Sequence, residues 1–184
     1  FRFDTDRERF ILGHGLLRTL LGGYLERDAS LIRMARGPFG KPFLERKNLR
    51  FNLSDTKDAV IIAFAIDMEL GADIETMTRE VDHRAVSEHY FTMPEVRNIQ
   101  EAAEPKRRFL ELWTRKEAVL KASGVGIMED LRVLRVDADR NSMLIEHDAF
   151  VAMASPQYHV QTWHIGADHL ISLASPEAPV KVDL

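Results

Sequence analysis

The stretch Ala59-Val60-Ile61-Ile62-Ala63-Phe64-Ala65-Ile66-Asp67-Met68-Glu69-Leu70-Gly71-Ala72-Asp73-Ile74-Glu75-Thr76 decides the fold. Residues 59–66 are an unbroken apolar run rich in β-branched side chains, which predicts a strand covered on both faces. Residues 67–71 read as its turn and residues 72–76 as a second strand. Side chains alternate along a strand, so Asp73 and Glu75 project from one face while Ala72 and Ile74 point into the core. A boundary between two α+β units falls in this turn, giving an N-terminal unit over residues 1–69 and a C-terminal unit over residues 70–184.

Working outward, Thr5 and Asp6 are cap residues for a helix whose Phe10, Gly13, Leu17, Leu20, Leu21 and Tyr24 recur at three-to-four spacing. Two prolines and two glycines make residues 37–42 a loop, and residues 51–55 a short strand ending in a polar turn. Helices are expected over 83–90, 94–103 and 105–122, the last with Phe109, Leu112, Trp113 and Leu120 inward and Gly124 and Gly126 ending it. Strands are expected over 131–136, 143–146, 150–154, 158–164 and 169–174, with turns at 137–141 and 155–156. The fold class is therefore α+β: two similar subdomains, each an antiparallel sheet with helices packed on it.

The chain has 184 residues, 45% of them apolar, enough for a substantial core. It has no cysteine, which excludes disulfides, thiolate metal sites and thiol nucleophiles. No apolar run approaches the roughly 20 residues of a membrane span, and no secretory signal is visible, so a soluble cytoplasmic protein is expected. A net charge of −4 argues against broad nucleic-acid binding, which needs excess Lys and Arg.

Two like charges as close as Asp73 and Glu75 are mutually costly unless a cation lies between them, and such hard oxygens suit Mg²⁺. Taken alone, the pair reads equally as a solvated strand face. Lys116, Glu117 and Lys121 lie on the predicted helix over 105–122, with Glu117 and Lys121 on one face and Lys116 one step round. They could be a surface ion pair worth a few tenths of a kcal/mol, or a metal-binding carboxylate flanked by ammonium groups that grip phosphate. Lys41, Ser54 and Arg9 are ordinary loop, turn and helix residues when read singly. His83, His89, His159 and His164 show no metal-ligand spacing. No Gly-rich phosphate loop of P-loop type is present, so other Mg²⁺-dependent phosphoryl transferases find no support.

The order of motifs is more telling than any one of them. Gly40-Lys41-Pro42, then Phe51-Asn52-Leu53-Ser54, Gly71-Ala72-Asp73-Ile74-Glu75, Phe91-Thr92-Met93-Pro94-Glu95 and WTRKEAVLKASGVG over 113–126 together resemble the 4′-phosphopantetheinyl transferases, in the spacing of the larger, surfactin-synthetase-activating branch. The resemblance runs from Arg9 to Gly126. It implies a pseudo-two-fold monomer that moves phosphopantetheine from coenzyme A to a serine of an apo carrier protein and releases adenosine 3′,5′-bisphosphate. It further implies that Asp73, Glu75 and Glu117 hold Mg²⁺, that Glu117 takes the serine proton, that Lys116 is catalytic, stabilising charge on the transferring phosphate and contacting the coenzyme, and that Lys121 holds coenzyme phosphate. Lys41, Ser54 and, more loosely, Arg9 would grip the adenosine end and its 3′-phosphate. The carrier would be acidic and helical, with Val86, Tyr90, Phe91, Arg97 and Arg108 as candidates to receive it.

One departure from the pattern stands out. The family normally has histidine after the FNLS motif, in contact with the 3′-phosphate, where this chain has Asp55. A carboxylate about 4 Å from a phosphate charge costs about 4 kcal/mol at an effective dielectric of 20. Either coenzyme binding is weakened, or a neighbouring Arg or Lys neutralises Asp55. The alternative function is accordingly a coenzyme A- or carrier-binding homologue with reduced or no turnover.

Overall fold

The structure is a computed structural model that describes residues 4–45, 48–126, 130–138, 142–144, 154–179 and 181–184. Helix α1 (Asp4–Leu25) opens with Asp4 and Asp6 in its first turn, where acidic side chains complement the helix dipole. Two short strands, β1 (Ala35–Arg36) and β2 (Pro42–Phe43), flank the glycine loop. Strands β3 (Leu49–Asp55) and β4 (Val60–Ile66) form an antiparallel pair whose register runs from Leu49 opposite Ile66 to Asp55 opposite Val60. Then come β5 (Gly71–Thr76), α2 (His83–Tyr90), α3 (Met93–Gln100) and α4 (Pro105–Ser123). β6 (Ser142–Leu144), β7 (Gln157–Ile165) and β8 (His169–Ser175) complete a four-stranded antiparallel sheet in the order β5-β8-β7-β6.

Two apolar cores result. Leu17 and Leu21 of α1 pack with Ile32, Leu44, Leu49 and Phe51, while Phe109, Leu110, Leu112 and Leu120 of α4 pack on Tyr158, Val160, Leu170 and Ala174. Among the described residues no main-chain ladder crosses the seam between the cores. The Asn52 side chain accepts the Ala72 N–H at 2.8 Å, and the Ser54 hydroxyl accepts the Ile74 N–H at 3.4 Å. Two polar side chains of β3 thus occupy the edge of β5 that faces away from β8.

Gly71 explains how β5 and α4 come so close. A Cβ at this position would lie 2.1 Å from the Ala118 carbonyl oxygen and 2.2 Å from the Ala122 nitrogen, both main-chain atoms that cannot rotate aside. Gly71→Ala is expected to cost about 3 kcal/mol, the upper end for overpacking, because strand and helix must separate. Chemical denaturation of the two proteins measures it.

The structure differs from the sequence expectations at four places. β4 is only partly covered, and Ile66 at its end is 60% exposed, because a two-stranded sheet under one helix cannot enclose a strand on both faces. On α1 the buried stripe is Gly13, Leu17 and Leu21, while Phe10, Leu20 and Tyr24 are exposed. The second predicted helix of the middle segment stops at Gln100, not at residue 103. Residues 131–136 are not a strand but a short 3-10 helix, Leu131–Val133, with extended chain after it. Their polar groups are met by side chains instead of a ladder. Lys116 donates to the Leu131 and Leu134 carbonyls, Arg115 donates to that of Val136 at 2.7 Å, and Glu95 accepts the Val136 N–H at 2.8 Å. The strand expected over 150–154 and the end of that over 143–146 lie outside the described residues, apart from Ala154.

Candidate active site

β3, β5 and α4 converge on a cavity of about 240 Å³ lined by Ser54, Asp55, Asp73, Glu75, Trp113, Glu117 and Lys121. Alternation along β5 brings Asp73 and Glu75 to the same cavity, and the four-residue helical repeat does the same for Trp113, Glu117 and Lys121. Asp73 accepts hydrogen bonds from the Ser54 hydroxyl at 2.8 Å and the Lys121 ammonium at 2.6 Å, while Lys121 also donates to Ser54 Oγ at 2.8 Å. Arg79, on the turn after β5, pairs with Glu75 and lies 5.6 Å over the Trp113 ring. Glu117 is half-buried and has no hydrogen-bond or ion-pair partner among the described residues.

The electrostatics follow from crowding. Burial raises the Asp73 carboxyl above its ordinary value even though Lys121, Ser54 and Arg79 pull it down. Burial also raises Glu117, with further help from the nearby Asp73 charge, against the pull of Lys121 and Arg79. Among the described residues no group of three or more acidic or histidine side chains is arranged to hold a metal ion. As they stand, Asp73 and Glu75 are instead compensated by the cations of Lys121 and Arg79.

The remaining predicted site residues are placed elsewhere or are already engaged. Arg9 meets the cavity rim through Asp55, its Nε 2.5 Å from Asp55 Oδ2, and it also bonds Asp6 at 3.0 Å and the Lys57 carbonyl at 3.1 Å. This is the neutralising arginine that the Asp55 departure called for. Lys41 lies at the C-terminal end of α4, donating to the Ala122 and Leu70 carbonyls and pairing with Glu69 at 2.9 Å. Lys116 is 0% exposed and points away from the cavity. It pairs with the equally buried Glu95 at 3.0 Å and sits 4.8 Å from the Phe91 ring centroid. Burial lowers its affinity for the proton, opposed chiefly by Glu95.

Of the residues considered for a partner, Phe91 is buried in the core and Arg108 is engaged by Asn98 and Glu111, leaving Arg97 exposed. Sequence reasoning missed Arg79 and the edge-capping role of Asn52. No periodic signal marks Arg79, since it follows the strand on an irregular turn. Glu95 carried a readable signal, the Thr92-x-x-Glu95 capping box, and the structure shows both halves of that box.

With this geometry in view, comparison with known proteins is informative. Residues 69–174 match the model of the 4′-phosphopantetheinyl transferase superfamily, so the chain belongs to that superfamily. Similar proteins include the 4′-phosphopantetheinyl transferase HetI of Nostoc sp., 30% identical over 72% of this chain and 60% of its own. A phosphopantetheinyl transferase of Thraustochytrium sp. is 28% identical over 95% of this chain and 66% of its own. The 4′-phosphopantetheinyl transferase Sfp of Bacillus subtilis is 25% identical over 100% of this chain and 82% of its own. The chain therefore spans less than two thirds of HetI and about two thirds of the Thraustochytrium protein.

Proposed function

We propose that this chain transfers 4′-phosphopantetheine from coenzyme A to a serine hydroxyl of an apo carrier protein, leaving adenosine 3′,5′-bisphosphate. The carrying observation is that family membership coincides with one cavity lined by Asp55, Asp73, Glu75 and Glu117, in which Lys121 pairs with Asp73 and Glu117 has no partner among the described residues. The carboxylate oxygens are of the kind a hard divalent cation takes, and Asp73, Glu75 and Glu117 are the residues that would hold Mg²⁺ on moving from the arrangement they have beside Lys121 and Arg79. Such an ion supplies charge neutralisation for the diphosphate of the coenzyme.

The chain's own residues then divide the remaining work. The serine oxygen attacks the phosphorus that carries pantetheine, and the bond to adenosine bisphosphate breaks. Glu117, raised by burial, is suited to receive the serine proton directly or through water. Lys121, held by Asp73 and Ser54, presents an ammonium to the phosphates as a point charge. The two separate cores support two α+β subdomains, over 1–69 and 70–184, and their pseudo-two-fold arrangement is part of the same proposal. The described helices include none long and apolar enough to cross a membrane.

Incubation with Mg²⁺, coenzyme A and apo carrier proteins of fatty-acid, polyketide and peptide type, followed by weighing each carrier, tests the proposal. One added phosphopantetheine supports it, whereas coenzyme binding without any gain in carrier mass leaves a binding protein. Asp55→His checks the rim of the cavity. Removing a carboxylate and adding a cationic donor there is expected to tighten coenzyme A about tenfold in calorimetry, and an unchanged affinity would place Asp55 away from the bound phosphates.

A further inference from the structure

Two cations face the carboxylate cluster, and they are held differently. Lys121 is anchored from both sides by Asp73 and Ser54. Among the described residues the Arg79 side chain has one polar partner, Glu75, and it is 36% exposed where that of Glu75 is 11% exposed. It stands on an irregular turn after β5, where its own N–H bonds the Thr76 carbonyl at 3.0 Å. Its guanidinium touches Glu75 and is close enough for its charge to act on Asp73 and Glu117. Arg79 and Glu75 line a second, larger cavity of about 580 Å³, whose lining includes Arg9 and Lys57. Glu75 lines both cavities.

We infer that Arg79 is an exchangeable counter-ion and a further substrate-binding residue. It neutralises Glu75 while the site holds no cation. When a divalent cation takes that carboxylate, it is released to grip an oxygen of the incoming diphosphate. The chemistry of the side chain fits both positions. A guanidinium pairs with carboxylate or phosphate through the same planar fork, and stacking on Trp113 guides it between them without ordering a new segment. An ammonium anchored as Lys121 is could not exchange partners so readily. The inference rests on the diphosphate substrate and cation proposed above.

The test uses calorimetry with Mg²⁺ alone and with coenzyme A in saturating Mg²⁺, on the native chain, Arg79→Gln and Arg79→Lys. Arg79→Gln keeps bulk against Trp113 while removing the charge. Its affinity for Mg²⁺ alone is expected to rise several-fold, because the competing cation is gone, while its affinity for coenzyme A falls about tenfold or more. Arg79→Lys should fall between the native chain and Arg79→Gln in both measurements. A merely structural arginine would weaken both ligands together and lower the melting temperature, and that result overturns the inference. If the native chain binds both ligands and Arg79→Gln binds them equally, Arg79 alone has been misassigned. If the native chain binds neither ligand, the proposed function and this inference fall together.

Discussion

Glu117→Gln is expected to lower turnover by about 10²–10⁴-fold while raising the melting temperature of the cation-free protein. The rate loss follows from removing the carboxylate of the cavity that has no partner among the described residues and so can accept a proton, and this range is typical of a lost general base. The gain in stability follows from the direction of the pKa shift. A carboxyl whose folded pKa lies above its unfolded value contributes to stability below the unfolded pKa. That contribution disappears as pH rises through the folded value. At neutral pH the ionised Glu117 is therefore an expense to the fold, borne beside the Asp73 charge, and glutamine removes it. Thermal unfolding and single-turnover transfer on the same preparation check both halves. A variant that loses stability, or keeps native turnover, would show that Glu117 is a structural residue.

Lys116→Met should do the opposite. Lys116 and Glu95 are both 0% exposed and hold each other at 3.0 Å, so deleting the ammonium leaves a buried carboxylate without its countercharge. Breaking such a pair costs about 3–5 kcal/mol, and here the carbonyls of Leu131 and Leu134 lose their donor as well. Denaturant unfolding measures the loss. Turnover per folded molecule should stay within a few-fold of native, because none of the partners of Lys116 lines the cavity. A hundredfold loss of turnover at native stability would return Lys116 to the reacting phosphate, where the family resemblance put it.

The contrast between these neighbours shows how far the sequence could be read. The period of a strand was enough to send Asp73 and Glu75 to one cavity, and the period of a helix was enough to send Glu117 and Lys121 to meet them. One residue along a helix is a turn of about 100°, which carried Lys116 from the cavity into the core. Only knowledge of what packs on each face could have told the two apart. Residues 131–136 were misread for a similar reason. Their apolar spacing suits a strand, but Arg115 and Lys116, more than a dozen positions upstream, supply the hydrogen bonds that a neighbouring strand would have given. Arg79 was invisible because an irregular turn has no period to read. The Asp55 departure, by contrast, was legible as a charge problem, and its solution in Arg9 needed the tertiary structure because the two are 46 positions apart.

The seam along β5 has a mechanical meaning. Asn52 and Ser54 cap the free edge of β5 with two side-chain acceptors. Ser54 with Asp73, Lys41 with the Leu70 and Ala122 carbonyls, and His169 with Asp58 add further side-chain bonds across the line, and among the described residues neither sheet lends it a rung of its ladder. The cavity opens along this same line, since Ser54 comes from one side of it and Asp73 from the other. The two halves are thus buttoned together by individual side chains, while the woven parts of the fabric lie to either side of the cavity.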